Sequence, residues 1–364
     1  MTEARFPIRN LTRLVDIGAD RNYPLLLDKN ERTAPFSDKH LQEIFASISS
    51  NDLNRYPDQT ELYSKLAKFL RLDFQEILLT VGADSGLKHV FETFVEPGDR
   101  VVSVSPSYAM IEIYAAMFQA DLMTAGYDKD LKLEEAKLLS SLDSNVKLVV
   151  IPNPNQPTGT TLADEFIREL LEKSDKQNFI VLIDEAYIEF SDRPSLVSDV
   201  RGKPNLLVLR TFSKAWGLAG VRLGYIVGSV SVIEQLRKVK SLLEINVLSI
   251  KACCYLLDNY YLVQEFIDEI KLGRKILCAE LRKLNIEAIL GATNFIHLKL
   301  PTEVSAKFIE DGLLAKGIKV RVAGGTASIL DGCIRVTVGT PHQVRYFVKE
   351  FSSLINIFRK EALT

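Results

Sequence analysis

Phe179-Ile-Val-Leu-Ile-Asp-Glu-Ala-Tyr-Ile-Glu-Phe190 opens with an unbroken apolar run and closes on acids and an aromatic hydroxyl. An apolar run without polar alternation reads as a strand buried on both faces, the habit of parallel sheets covered by helices. Functional groups in such sheets collect at strand carboxyl ends, which is where Asp184 and Tyr187 stand. Upstream, Lys147-Leu-Val-Val-Ile-Pro-Asn-Pro-Asn-Gln-Pro-Thr-Gly159 is another buried strand running into a Pro/Gly-rich turn. Downstream, Leu206-Leu-Val-Leu-Arg-Thr-Phe212 is a third, followed by Ser213, Lys214, Gly217, Gly220, Arg222 and Gly224.

Outward from these runs, strands and helices alternate. The patterns predict strands over 76–82, 101–105, 146–152, 179–184, 206–212 and 222–227, with helices over 83–94, from 110, and over 163–171. This is an α/β fold with a mostly parallel, doubly covered sheet. A long helical stretch over 250–284 leads to a smaller α+β unit, with strands over 295–300, 318–321 and 333–338 and helices near 305–315 and 342–357. The expected division is an N-terminal arm and start of the small domain (1–50), a large domain (51–255) and a small C-terminal domain (256–364). Within the arm, Ser37 is placed to cap a helix.

Composition narrows the function class. The 364 residues are 47% apolar and 25% charged, and 45 basic against 47 acidic residues leave a net charge of −2. Such a chain offers no electrostatic footprint for nucleic acid or for a membrane surface. No apolar stretch approaches the roughly 20 residues of a membrane helix, and residues 1–7 lack the apolar core of a secretion signal, so the expected location is cytoplasmic. Cys253, Cys254, Cys278 and Cys333 read as free thiols. The four histidines show no metal-ligand spacing, and His297, between apolar neighbours, reads as core.

The chemistry is carried by Lys214. After a buried strand and among glycines a lysine is poorly solvated, which favours the neutral, nucleophilic amine. Ser213 offers a hydroxyl and Arg222 a fork of donors suited to a phosphate dianion. A carbonyl-binding lysine flanked by phosphate-binding groups suits pyridoxal phosphate, and Asp184 suits a carboxylate that keeps the pyridine nitrogen protonated. Ser-Lys after a strand also occurs as an ordinary surface turn, so that stretch alone admits both readings; in order with the other two it favours the cofactor.

These residues carry a family resemblance. Asn54-Arg-Tyr-Pro57, Gly82-Ala-Asp84, Pro106-Ser-Tyr108, Asn153-Pro-Asn-Gln-Pro-Thr-Gly159, Asp184-Glu-Ala-Tyr-Ile-Glu-Phe190, Ser213-Lys214, Arg222-Leu-Gly224 and Ile334-Arg-Val-Thr-Val-Gly-Thr340 run nearly end to end. In that order they resemble the fold-type-I pyridoxal-phosphate aminotransferases, and among them the histidinol-phosphate aminotransferases. The resemblance implies a seven-stranded-type sheet in the large domain and Lys214, Asp184 and Tyr187 as catalytic residues. It puts Ala83, Asp84, Ser85, Ser213 and Arg222 at the cofactor phosphate, with Tyr108 on the ring face and Gln156 and Tyr187 at the phenolic oxygen. Tyr56 crosses a homodimer interface to the neighbour's phosphate, giving shared active sites. Arg335 and Arg321 bind substrate carboxylate and phosphate; Asn30-Glu31 belongs to a segment that closes over the active site, where Glu31 is expected at the substrate and Arg32 adds a cation near the mouth. The implied reaction moves an amino group between a phosphorylated amine or amino acid and a keto acid, 2-oxoglutarate. The alternatives are a decarboxylase of a serine- or threonine-phosphate type substrate and, remotely, a non-catalytic sensing module.

The sequence departs from the family pattern at three places. Gln156 replaces an asparagine, Arg32 replaces a small or aromatic residue, and Ser241-Leu-Leu-Glu-Ile-Asn-Val247 replaces an aromatic segment near the imidazole pocket. Glu244 is thereby expected to sort among phosphorylated amines.

Overall fold

The computed structural model describes residues 2–9, 11–12, 20–323 and 328–361. The arm carries α1 (Phe6–Arg9) and β1 (Leu25–Leu26), followed by α2 (Asp38–Ala46), α3 (Ser50–Asn54) and α4 (Thr60–Leu70). Alternation then begins with β2 (Ile77–Thr80), α5 (Gly82–Phe94), β3 (Arg100–Ser105), α6 (Met110–Met117), β4 (Asp121–Gly126) and α7 (Glu135–Ser140). It continues through β5 (Val146–Pro152), α8 (Asp164–Gln177), β6 (Ile180–Asp184), β7 (Leu206–Thr211), β8 (Gly224–Gly228) and α9 (Val230–Arg237). Two helices follow, α10 (Val247–Asp258) and α11 (Tyr261–Lys283), then β9 (Glu287–Ile289) and β10 (Phe295–Lys299). The chain closes with α12 (Ala306–Ala315), β11 (Ile318–Lys319), β12 (Arg321–Val322), β13 (Cys333–Thr337) and α13 (Pro341–Glu361).

The large sheet has seven strands in the order β2-β8-β7-β6-β5-β3-β4. β8 runs against both of its neighbours and every other pairing is parallel. The apolar runs explain this sheet, because alternate side chains go to opposite faces. Val149, Ile151, Val181, Ile183 and Val208 enter one core, and Leu148, Val150, Leu182, Leu207 and Leu209 enter the other. Burying a large aliphatic side chain stabilises by about 1.5–3 kcal/mol, so a strand apolar on both faces is held between two helical layers.

A four-stranded antiparallel sheet, β12-β13-β10-β9, packs against α11 and α12, and α13 packs on those two helices. The arm is stitched along it. β1 pairs with β11, Leu27 N–H donates to Lys319 O at 2.7 Å, and Thr337 N–H donates to Leu27 O at 2.9 Å. These bonds carry residues 28–30 across to the carboxyl end of β6 and to Lys214.

Several expectations change. The stretch 250–284 is two helices, because Asn259 turns its amide back onto Tyr255 O and leaves helical geometry. The predicted strand 318–321 divides at Val320, its halves pairing with β1 and β13 respectively. The helix predicted over 163–171 runs on to Gln177. β4 was missed because it is an edge strand with mostly exposed side chains and no buried run to betray it. Ser37 precedes α2 but its hydroxyl makes no capping bond; Ser49 and Asp52 form a reciprocal capping box at α3 instead. Cys253, Cys254 and Cys333 are buried free thiols and Cys278 is a half-buried one. Among the described residues no helix is long and apolar enough to cross a membrane, and no His/Cys/Asp/Glu group could hold a metal ion.

Candidate active site

A cavity of about 360 Å³ opens where the carboxyl ends of β5, β6 and β7 meet the start of α5, roofed by the arm and by β12 and β13. Asp184, the last residue of β6, lines it. Its Oδ1 accepts the Ala186 N–H at 3.0 Å. Burial pushes its carboxyl up to about 6, opposed by that hydrogen bond and by the Lys214 charge. A half-buried carboxylate with raised proton affinity is suited to a cationic or N–H partner in the cavity.

Lys214 reaches the same space from the turn after β7, its Nζ donating to Lys29 O at 3.0 Å and lying 5.5 Å from the Tyr187 ring centre. The Tyr187 hydroxyl accepts from Asn30 Nδ2 at 2.9 Å. Behind this floor, Arg210 donates to Glu185 Oε2 at 3.2 Å and to Glu189 Oε1 at 2.8 Å, and Trp216 Nε1 donates to the same Glu189 oxygen at 2.9 Å. Burial works against the Arg210 charge, but Tyr225, Glu189 and Glu185 outweigh it and the guanidinium keeps its proton. This network binds the end of β6, strand β7 and the Lys214 turn together. A charge inside an apolar run demands a buried partner, so Arg210 was a signal in the sequence that went unread.

Opposite, α5 begins at Gly82 with no side chain capping its first N–H groups. Arg222, in left-handed geometry at φ 58°, donates to Ser213 Oγ at 3.4 Å and to Ala219 O at 3.1 Å. A Cβ at Gly82 would stand 2.7 Å from Arg222 Nη2, so the glycine lets the guanidinium lie over the helix start. Arg222 has no carboxylate within 4 Å among the described residues, which leaves an anion cradle of helix N–H groups, hydroxyl and cation. Tyr108 leans beside it, its hydroxyl donating to Asp84 Oδ1 at 3.4 Å; burial and then the Asp84 charge hold that phenol's proton firmly.

Two arginines complete the cavity from the small sheet. Arg321 and Arg335 are register partners on β12 and β13. Arg335 is 6% exposed, donates through Nη2 to Asp28 O at 2.7 Å, and leaves Nε without a partner. Burial lowers its proton affinity, and neighbouring Arg321 adds to that.

Comparison with known proteins agrees with this geometry. Residues 23–351 match the family model for aminotransferase class I and II. The chain is 34% identical to histidinol-phosphate aminotransferase 1 of Carboxydothermus hydrogenoformans over 337 residues, covering 92% of this chain and 94% of that protein. It is also 34% identical to the histidinol-phosphate aminotransferase of Parabacteroides distasonis over 321 residues, covering 85% and 87%. The chain belongs to the class I and II aminotransferases. The fold is shared with the Sinorhizobium meliloti histidinol-phosphate aminotransferase, whose crystal structure is a complex with pyridoxal-5′-phosphate, at a TM-score of 0.86 and 23% identity over 98% of both chains.

As an aminotransferase of this family the chain uses pyridoxal 5′-phosphate, and the residues present fit that group. The cradle at Gly82 and Arg222 suits the phosphate, Asp184 suits the ring nitrogen, and Lys214 shares their cavity. Ala83, Asp84, Tyr108, Gln156, Tyr187, Ser213, Arg321 and Arg335 line it as well.

Other expected site residues fall outside the cavity lining. Tyr56 lies in a loop and is 82% exposed on this chain. The Ser85 hydroxyl lies 3.5 Å from His89 Nε2, one turn along α5. Glu31 pairs with Arg21. Arg32 is sandwiched between the rings of Phe36 and Phe266, 4.4 and 4.2 Å from their centres, and donates to Ala34 O. Burial lowers its pKa to about 10, and its stem fills the space left by Gly217 in the Lys214 turn. Glu244 faces Lys240 at 3.8 Å, and Asn246 caps α10 by accepting the Ser249 N–H. His297 is core, 1% exposed, its imidazole pushed down to about 4 by burial and by Arg335. Asn30, Asn294 and Thr337 meet above Tyr187, and no sequence pattern pairs them because they come together only through the arm.

Proposed function

We propose that this aminotransferase takes the amino group of histidinol phosphate and passes it to 2-oxoglutarate, in the cytoplasm, as a homodimer in which Tyr56 reaches the neighbour's cofactor phosphate. The observation that carries the substrate reading is Arg335, a buried cation without a carboxylate partner that faces Lys214 across one cavity with Arg321 beside it. The close similarity to histidinol-phosphate aminotransferases over most of the chain supports it.

When bound, the cofactor supplies an electron-poor ring that takes up the electron pair left as a substrate Cα–H bond breaks. The chain's own residues do the rest. Ser213, Arg222 and the N–H groups of Ala83 and Asp84 hold the phosphate, and Asp184 keeps a proton on the ring nitrogen. Tyr108 covers the ring face, while Gln156 and Tyr187 donate to the phenolic oxygen. Lys214 Nζ would be the group that holds the cofactor's carbonyl and the general base that moves the substrate's Cα proton. Arg335 and Arg321 hold the anionic end of each substrate, phosphate in one half-reaction and carboxylate in the other.

The test compares kcat/KM for histidinol phosphate, histidinol and smaller phosphorylated amines, with 2-oxoglutarate as acceptor. Leaving a desolvated arginine without its anion costs about 2–5 kcal/mol, so histidinol is expected to be about 30-fold to several thousand-fold poorer. Equal values for histidinol and its phosphate refute the phosphate reading, and a smaller amine outperforming both refutes the substrate assignment.

A further inference from the structure

We infer that Asn30 is a positioning residue that aims the Tyr187 hydroxyl proton into the cavity, and that the four-stranded sheet sets its orientation. The inference rests on the proposed role of Tyr187 as donor to the phenolic oxygen of the cofactor. Asn30 is 2% exposed and sits in left-handed geometry at φ 57°, a conformation that asparagine tolerates better than most residues.

Each polar group of Asn30 is engaged. Its backbone N–H donates to Thr337 Oγ1 at 3.0 Å, and its carbonyl accepts from Asn294 Nδ2 at 3.1 Å. The Thr337 hydroxyl donates to Asn30 Oδ1 at 3.3 Å, and Asn30 Nδ2 then donates to the Tyr187 oxygen at 2.9 Å. Turning the amide over would present Oδ1 to Tyr187. It would also strand the Thr337 hydroxyl proton, which is buried and has no other acceptor among the described residues. An unmet buried donor is penalised, so the sheet residue selects the amide's orientation.

That orientation decides where the phenol proton goes. A phenol oxygen that already accepts from an amide keeps its own O–H for a different acceptor. Tyr187 lines the cavity, so its proton is available there. The reversed amide would accept that proton and withdraw it. Asn30 belongs to the arm and Thr337 to β13, so the proton-donating direction of Tyr187 depends on how the arm is seated on the small sheet.

A donor to the phenolic oxygen stabilises its negative charge and loosens its hold on the proton at neighbouring Lys214 Nζ. Losing that donor raises the pH at which the proton leaves, read as the midpoint of the visible absorbance band of the cofactor-loaded protein. Asn30→Asp keeps the shape but replaces the donor with an acceptor. It is expected to raise the midpoint by about one to two pH units, as is Tyr187→Phe. In the double variant Asn30→Asp should add less than half of its separate effect, since its target hydroxyl is gone. Thr337→Val, which frees the amide to turn, should give a smaller rise.

The outcomes separate. If Asn30→Asp shifts the midpoint equally with and without the Tyr187 hydroxyl, the new charge acts alone and the inference is overturned. If Tyr187→Phe leaves the midpoint unmoved, the role of Tyr187 fails and this inference with it. If Asn30→Asp does not fold, an unmoved midpoint in Thr337→Val overturns the inference by itself.

Discussion

Replacing Arg335 with methionine is expected to do two opposite things. Arg335 is buried on β13 with no carboxylate within 4 Å among the described residues, one donor unmet, and a second arginine as its cross-strand neighbour. In the absence of substrate the fold therefore carries a desolvated charge that Tyr187 and Asp28 offset only in part, since burial still lowers its proton affinity. An apolar side chain of similar volume removes that penalty, an exchange often neutral or stabilising by about 1–4 kcal/mol. Against this stands the lost hydrogen bond to Asp28 O, at 2.7 Å, worth about 1–3 kcal/mol when the donor is charged. The net expectation for Arg335→Met is a Tm unchanged or raised by a few degrees, at about 2 °C per kcal/mol for a chain of this size. The same change removes the partner of a substrate anion and should lower kcat/KM by about 30-fold to several thousand-fold. Calorimetry of the cofactor-loaded protein without substrate, beside steady-state kinetics, reads both effects. A Tm that falls by several degrees while kcat/KM stays within threefold of wild type would show that Arg335 is a structural cation and refute the reasoning.

Asp184 gives a pH-dependent counterpart. Its carboxyl is held near 6 against an ordinary 3.8, so the cofactor-free fold binds this proton more tightly than the unfolded chain does, and its contribution to stability is lost as pH rises from about 4 to about 6. At neutral pH that amounts to roughly 3 kcal/mol, so Asp184→Asn should be the more stable cofactor-free protein in urea at pH 7.5, lose the advantage near pH 4.5, and bind the cofactor less tightly; equal stability at both pH values contradicts the burial argument. Gly82→Ala places a Cβ 2.7 Å from Arg222 Nη2 at a φ of 71° and should weaken cofactor binding at least tenfold by spectral titration, whereas Gly220→Ala, with nothing within 4 Å of the new Cβ, should bind normally. Lys214→Ala should lose all turnover, and mixing it with inactive Tyr56→Ala subunits should restore about one working site per mixed dimer; no recovery after verified subunit exchange argues against a shared site.

What the sequence determined by itself was whatever depends on local pattern. Apolar runs such as Phe179–Ile183 and Leu206–Leu209 can be buried only on both faces, so the parallel sheet and the strand-end positions of Asp184 and Lys214 were legible without coordinates. Ser213 and Arg222 drew notice from their place after a buried strand, whereas the start of α5 at Gly82 was singled out by the family resemblance alone, since every helix has such an end. Tertiary structure decided what depends on distant pairing. Arg32 was expected at the mouth of the site and instead lies between Phe36 and Phe266, while Glu244 was expected at the substrate and faces Lys240. A charged side chain's partner is set by whatever packs against it, and the arm reaches its neighbours only through pairing with β11 and β13, some 300 positions away. No local pattern encodes that contact, which is why the bonds of Asn30 to Thr337 and Tyr187 came to light only in the folded chain.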